Sequence, residues 1–377
     1  MRNSAMTSLS QVAKQAGVSA STVSRYFRGQ LSIKTETAEK IRQAADLLGY
    51  TTPSLTDTRH LSAQYPGYGI PHTSASGQPI SSTGIDQSAV ALIVPELTNP
   101  FYASLCEAIT SQTQAGDHVL EVMVSGRQAT TEAKLVDHVI ESGRFGGLIY
   151  AGMHRTNRAL NHLATTPIRL VLLDEDVTIP TQSHPNIVTV DNYSGAYQAA
   201  SYLISLGHRR IAHIAGPTML STTTERLRGY RAALENADIP YDPKLVFSGP
   251  YTEEYGASVL TYLIQMDERP TAVFAGSDIV AIGLISVCKQ YGISIPQDLS
   301  VVGCDGIRMG RWLRPSLTTL TQPIDDMAIA ALNLLFQEDG DDARNAIDRN
   351  NADSGRGNND IRLPLTLTIR ESAVAPR

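Results

Sequence analysis

Hydrophobic and polar positions along the chain fall into three textures. In the first, apolar residues recur every three or four positions in short bursts: Leu9, Val12, Ala13 and Ala16, then Val23 and Phe27, then Ile41, Ala44, Ala45 and Leu48. That period places each set on one face of a short helix. Three helices are predicted, opening at Ser8, running from about Ala20 to Phe27, and running from about Thr35 to Leu48. Ser8 and Gln11 have the spacing of a capping box. Between the first two helices stands "GVSAST". Gly17 can take the left-handed backbone that stops a helix, and Ser19 can cap the next one. Helices joined by so tight a turn must cross steeply, which is helix-turn-helix geometry.

The second texture, residues 62–88, is rich in Ser, Gly and Pro and has no period. It reads as a flexible linker, with a binding role for its two tyrosines as the alternative. From Ala89 a third begins, in which short apolar runs ("AVALIV", "HVLEVMV", "GGLIYAG", "RLVLLD", "RRIAHIAG", "TAVFAG", "LSVVGC") alternate with helical stretches such as 193–206 and 279–291. Near-continuous apolar runs are expected of strands covered on both faces, and the alternation predicts parallel, doubly wound sheets. At this length residues 89–377 divide into two lobes, with a ligand cleft at the carboxyl ends of the strands. Residues 338–360 read as a polar surface excursion before a final strand, "LPLTLTI". The predicted organisation is a helical head with hinge over 8–61, a linker over 62–88 and a two-lobed body over 89–377.

Charge sharpens this picture. The 377-residue chain carries a formal net charge of -6, which alone argues against a polyanionic partner. Yet residues 1–61 hold eight Lys/Arg against four Asp/Glu, leaving 23 basic and 33 acidic residues in the remainder. A small basic head on an acidic body points to a head that meets a polyanion. The three cysteines, Cys106, Cys288 and Cys304, lack metal-ligand spacing and read as buried thiols in a reducing compartment. No apolar run resembles a signal-peptide core or a membrane span, so a cytoplasmic protein without membrane contact is expected.

The second helix decides what the head touches. Ala20, Ser21, Thr22, Ser24 and Arg25 lie at or near its start. Small residues there allow close approach to a groove. Amides and hydroxyls can hold phosphates, and an arginine one turn on can make paired bonds to guanine. The same residues would also suit an ordinary solvated face, and spacing alone leaves both readings open.

Over nearly the whole chain, residues 62–88 and about 338–360 excepted, the sequence resembles the LacI/GalR family of bacterial transcription regulators. "LSQVAKQAGVSASTVSRYFRG" and "IRQAADLLGY" are similar to that family's helix-turn-helix and third helix. "VPELTNPFY", "VTVDNYSGA", "LGHRRIAHIAGP", "ERLRGYRAAL", "PTAVFAGSDIVAIG", "GISIPQDLSVVGCDG" and "PSLTTLTQP" follow its pattern in order. The resemblance implies a small all-α helix-turn-helix head plus an α/β, periplasmic-binding-protein-like two-lobed body. It implies a homodimer on palindromic operator DNA, acting as a repressor, with no cofactor and with a small effector (a sugar, polyol or nucleoside) between the lobes. By this resemblance Ala20, Ser21 and Arg25 read bases, while Ser19, Thr22 and Ser24 meet phosphates. Tyr26 and Arg28 depart from the family pattern; Arg28 adds a phosphate contact or reads an outer base. The hinge, "TTPSLTDTRHL", keeps only the R-x-L end, at Arg59 and Leu61. Leu61 is either a minor-groove wedge or a linker packing residue. The end, "LTIRESAVAPR", is too short for a tetramerising heptad helix, which favours the dimer.

In the body the resemblance implies that Asn99, Phe101, Asp174, Arg226, Tyr251, Ser277 and Asp305 bind effector. Arg226 and Asp305 would grip a diol from two sides, or else form only a structural ion pair. Asp278 either touches ligand or caps the following helix. Phe101 either lines the cleft or belongs to the core. Glu175, Ser277, Cys304 and Gly306 depart from the family's usual residues, and the run Asp174–Glu175–Asp176 disfavours an anionic sugar phosphate. An enzyme is the obvious rival, but the chain has no nucleophile elbow, phosphate loop or paired metal-ligand motif. The second rival is a solute-binding protein of a sugar transport system, which shares the two-lobed body but has no use for the helical head.

Overall fold

The computed structural model describes residues 9–19, 22–23, 37, 40–41, 44, 89–115, 118–180, 185–336 and 360–377. The chain divides into two compact units, residues 1–83 and 84–377. In the first, α1 spans Leu9–Ala16 and buries Ala13 and Ala16. Gly17 (φ 69°) ends it: the Val18 amide donates to the Ala13 carbonyl at 3.0 Å and the Gly17 amide to Lys14 at 3.4 Å. These two bonds satisfy carbonyls that a helix end leaves open. Ser19 Oγ then accepts the Thr22 amide at 3.1 Å, the cap expected of it, and Val23 is fully buried. Thr37, Lys40, Ile41 and Ala44 are helical, with Ile41 and Ala44 buried, as a third helix requires.

The second unit holds two six-stranded sheets. The first orders its strands β11-β5-β4-β3-β1-β2, the second β12-β10-β9-β8-β6-β7. The strands are β1 (Ala89–Val94), β2 (Val119–Val124), β3 (Phe145–Tyr150), β4 (Arg169–Leu173), β5 (Asn186–Val190), β6 (Ile211–Ala215), β7 (Val246–Ser248), β8 (Ala272–Ala275), β9 (Ser300–Asp305), β10 (Thr318–Thr321), β11 (Asp360–Leu363) and β12 (Thr366–Thr368). Every pairing is parallel except β10 with β12. The helices are α2 (Pro100–Ala115), α3 (Ala129–Ser142), α4 (Asn192–Ser205), α5 (Ser221–Asn236), α6 (Glu253–Gln265), α7 (Asp278–Cys288) and α8 (Ile324–Phe336).

The apolar runs are strands because both faces are covered. In β1, Val90, Leu92 and Val94 pack into one core with α2 and α8, while Ala91 and Ile93 point into another with α3. Fully burying one such side chain contributes about 1.5–3 kcal/mol. The edge strand β2 departs from this: Val119, Val122 and Val124 are exposed. The predicted final strand is in fact two. Pro364 lacks the amide a ladder needs. There the chain leaves β11, in the first sheet, and enters β12, in the second. The chain also crosses from β5 to α4 and from β10 to α8, so three connections join the lobes. Residues 62–88 and 338–359 lie outside the described residues, and Asp360 already belongs to β11. All three cysteines are buried free thiols, as read from the sequence.

Close packing of α5 on α4 explains the glycine of "ERLRGY". A Cβ on Gly229 would stand 2.2 Å from the Tyr193 carbonyl oxygen, so only glycine lets these helices approach. Arg226, one turn earlier on α5, is thereby set against the crossover into α4.

Candidate functional site

Parallel strands point their carboxyl ends one way, and the loops beyond those ends make the crevice where such folds bind ligands. Here Asn99 follows β1, Asp174 and Glu175 follow β4, Leu220 and Thr222 follow β6, and Tyr251 follows β7. Ser277 follows β8, Asp305 ends β9 and Gln322 follows β10. All of these line one cleft between the lobes, with Phe101, Tyr102 and Arg226. Every cleft residue named from the sequence except Asp278 is therefore in one place.

Their individual settings differ. Asn99 Oδ1 accepts the Phe101 amide at 3.1 Å and so opens α2. Phe101 is both cleft wall and core, 3% exposed. Arg226 is buried; its Nε donates to Asn192 Oδ1 at 2.8 Å and its Nη1 to the Gly276 carbonyl at 2.5 Å. It forms no ion pair with Asp305, which settles that alternative: the guanidinium is held by the crossover and by β8. Asp305 Oδ2 accepts from Ser277 Oγ at 2.6 Å and the Asp278 amide at 3.3 Å, and Oδ1 accepts from Gln322 Nε2 at 3.0 Å. Tyr251 meets Thr223 Oγ1 through its hydroxyl at 3.2 Å; burial, above all, pushes its phenol up to about 12.

Asp278 fills neither role read for it. It is the first residue of α7, and its carboxylate turns into the protein. Thr319 Oγ1 donates to it at 2.5 Å and the Ile307 amide at 2.9 Å. Burial, then Asp305, raises this carboxyl to about 7. The pattern missed Thr319 because "TTLT" looks like a polar loop, whereas β10 buries its threonines on hydrogen-bond partners.

Glu175, noted only as a departure, proves to join the lobes. It leaves the first lobe after β4 and accepts the Ser221 amide at 2.9 Å, Ser221 Oγ at 2.7 Å and Thr222 Oγ1, all at the start of α5 in the second. A carboxylate is well placed there, among free amides at the positive end of a helix. Burial raises its pKa, while these hydrogen bonds and Arg226 oppose the rise. Tyr102, Leu220, Thr222 and Gln322 were also missed; only Tyr102, next to "NPF", carried a signal in the sequence.

In the head, Ser19 and Thr22 are the DNA candidates within the described residues. Their hydroxyls meet at 2.8 Å, at the exposed start of the second helix. Ala20, Ser21, Ser24, Arg25, Arg28 and Leu61 lie outside the described residues. Among the described residues no group of three or more His, Cys, Asp or Glu could hold a metal ion, and no helix is long and apolar enough to cross a membrane.

A capped helix-turn-helix start ahead of a two-lobed α/β body with a polar interlobe cleft defines a class: regulators that join a DNA-binding head to a ligand-binding body. Comparison with known proteins agrees at both ends. Residues 8–53 match the model of bacterial regulatory proteins of the lacI family, and residues 200–373 match that of a periplasmic binding protein-like domain. The chain is 28% identical over 369 residues to the HTH-type transcriptional regulator DegA of Bacillus subtilis, covering 97% of this chain and 98% of that protein. It is 28% identical over 335 residues to the HTH-type transcriptional repressor CytR of Escherichia coli, covering 88% and 89%. Among solved structures it is similar to the regulator CelR in complex with cellobiose, with TM-score 0.65, 26% identity and coverage of 97% and 99%. It is also similar to a LacI family regulator from Enterococcus faecium with bound ribose, with TM-score 0.63, 26% identity and coverage of 77% and 100%. The chain thus joins a lacI-family helix-turn-helix domain to a periplasmic binding protein-like domain, and its relatives are LacI-family regulators. It is a ligand-responsive, DNA-binding transcriptional regulator, and the match at the head does not favour the transport-protein alternative.

Proposed function

We propose that this protein is a cytoplasmic, homodimeric repressor that works by binding rather than catalysis, and that a small polyhydroxylated effector in the interlobe cleft sets its affinity for a palindromic operator. The supporting observation is the convergence of Asn99, Phe101, Asp174, Arg226, Tyr251, Ser277 and Asp305 on one cleft at the strand ends. Carboxylates, an amide, a guanidinium and aromatic rings are the groups that recognise hydroxyls and C–H faces. Two relatives of similar fold carry cellobiose and ribose, which supports a sugar-like effector here.

On this reading the head spans 8–61, residues 62–88 link it to the body over 89–377, and the second helix enters a major groove. Ala20, Ser21 and Arg25 face base edges; Ser19, Thr22, Ser24 and Arg28 hold phosphates; Leu61 wedges into the minor groove. Effector contacts both lobes and changes their angle, and the two heads then suit the operator better or worse. The change in operator affinity cannot exceed the effector's differential affinity for the two states.

The test is a gel shift of full-length protein with fragments of its own genome, at several salt concentrations. Selective retention that weakens steeply with salt is expected. Arg25→Ala should cost about 1–3 kcal/mol at the preferred site. An unchanged site preference in that variant contradicts the assignment of Arg25. Leu61→Ala that bends and binds DNA as the parent does removes the wedge.

A further inference from the structure

The polar groups of the cleft do not balance. Two buried side-chain atoms that line it have no partner, Asp174 Oδ1 and Gln322 Oε1, and both are acceptors. Their residues are only 8% and 4% exposed. An unsatisfied buried polar atom costs about 1–3 kcal/mol, and native proteins keep few of them. What the cleft lacks is donors.

Charge is uneven in the same sense. Asp174, Glu175 and Asp305 face a single guanidinium, Arg226, whose Nε and Nη1 already serve Asn192 and Gly276. Glu175 is bound by the start of α5, and Asp305 by Ser277, the Asp278 amide and Gln322. Of the three carboxyl groups only Asp174 has a buried oxygen without a partner. The backbone of Asp174 lies in the left-handed region, at φ 71°. Such a non-glycine conformation costs about 1–3 kcal/mol and persists where its surroundings enforce it. Phe101, Tyr102 and Tyr251 complete the wall, and aromatic faces attract cations.

We infer that the effector carries an ammonium group among its hydroxyls, as an amino sugar or amino polyol does, and that Asp174 receives the ammonium. This rests on the reading of the cleft as the effector site. A phosphorylated or carboxylated sugar would meet three carboxyl groups. A neutral polyol supplies donors but no counter-charge for the carboxylate of Asp174. Burial, then Glu175 and Asp305, push the Asp174 carboxyl up to about 8 against the pull of Arg226. The shift favours the protonated acid. Binding of an ammonium ionises it, so that the O–H bond of the acid breaks, the carboxylate pairs with the cation, and the proton leaves to the buffer.

The test uses full-length protein in calorimetry and thermal shift. The probes are 2-amino-2-deoxyglucose, 6-amino-6-deoxyglucose and 1-amino-1-deoxysorbitol, with glucose, sorbitol and N-acetylglucosamine as their uncharged counterparts. At least one amine should bind tenfold or more tighter than its counterpart and release protons on binding at pH 7, measured in buffers of different ionisation enthalpy. Asp174→Asn should erase that preference without lowering Tm. Equal or tighter binding of the uncharged probes, binding by none of the six, or a preference that survives Asp174→Asn overturns the inference. An uncharged probe that binds and is lost in Tyr251→Ala leaves the cleft as the effector site and removes only the ammonium. An amine whose binding survives both Asp174→Asn and Tyr251→Ala sits elsewhere, and the underlying reading fails.

Discussion

Asp174 and Asp305 occupy matching places in the two lobes. One follows β4, the third strand in its sheet order, and the other ends β9, likewise third in its own. Both have left-handed backbone, at φ 71° and 126°, and both face the same cleft. Their partners differ. Asp305 is held by three donors, whereas Asp174 leaves a buried oxygen unpaired. Repeated architecture sets where a carboxyl stands, and the donors around it set how much of its bonding capacity is already taken up within the protein.

Substitutions at the two positions should therefore diverge. Asp305→Ala strands the Ser277 hydroxyl, the Asp278 amide and the Gln322 amide together. It should cost about 3 kcal/mol of stability, read as a fall in denaturant midpoint at unchanged m-value. Asp174→Asn strands nothing, so a comparable loss there would erase the distinction. Next in size is a packing control remote from both carboxylates. Gly229→Ala presses a methyl on the Tyr193 carbonyl and should cost about 1–3 kcal/mol, because α4 and α5 must separate. Equal losses in Gly229→Ala and Asp305→Ala, each with an unchanged effector affinity, would show that Asp305 acts only through the fold.

The pH dependence sharpens the comparison further. Asp174 has a folded pKa of about 8, above its unfolded value of about 3.9. The stabilisation linked to its proton is complete below the unfolded value and lost as pH rises through the folded one. The Tm advantage of Asp174→Asn over the parent should consequently grow between pH 5 and pH 9. A constant difference would mean that Asp174 is already ionised. The smallest effect is expected in the head. An added Cβ on Gly17 meets nothing within 4 Å, so Gly17→Ala costs only the left-handed backbone, about 1 kcal/mol, read from hydrogen exchange of α1 amides.

Much of this was legible in the sequence, for identifiable reasons. A short apolar run such as "AVALIV", alternating with helical stretches, fits a strand covered on both sides, and Gly17 with Ser19 spells out a helix stop and a cap. Cleft residues were legible through ordered motifs, since a short loop after a parallel strand has few places to go. What escaped depends on contacts between distant segments. Glu175 looked like a lost arginine, and only the fold brings Ser221 and Thr222 to its carboxylate. Arg226 and Asp305 share the cleft, but the acceptors that hold the guanidinium belong to Asn192 and Gly276, which no spacing rule connects to it. Asp278 was read as a cap or a ligand contact because its carboxylate's partners, Thr319 and Ile307, lie in other loops and strands.

The central claim is that ligand in the cleft governs the grip of the head on DNA. It is tested most directly by titrating full-length protein into a fluorescent fragment bearing its preferred site, with and without a ligand shown by calorimetry to bind, and comparing the parent with Asp305→Asn. The account predicts that ligand shifts the parent's Kd for DNA several-fold, and that the variant binds the same DNA with little or no response to ligand. A parent Kd that does not move at saturating ligand would contradict it.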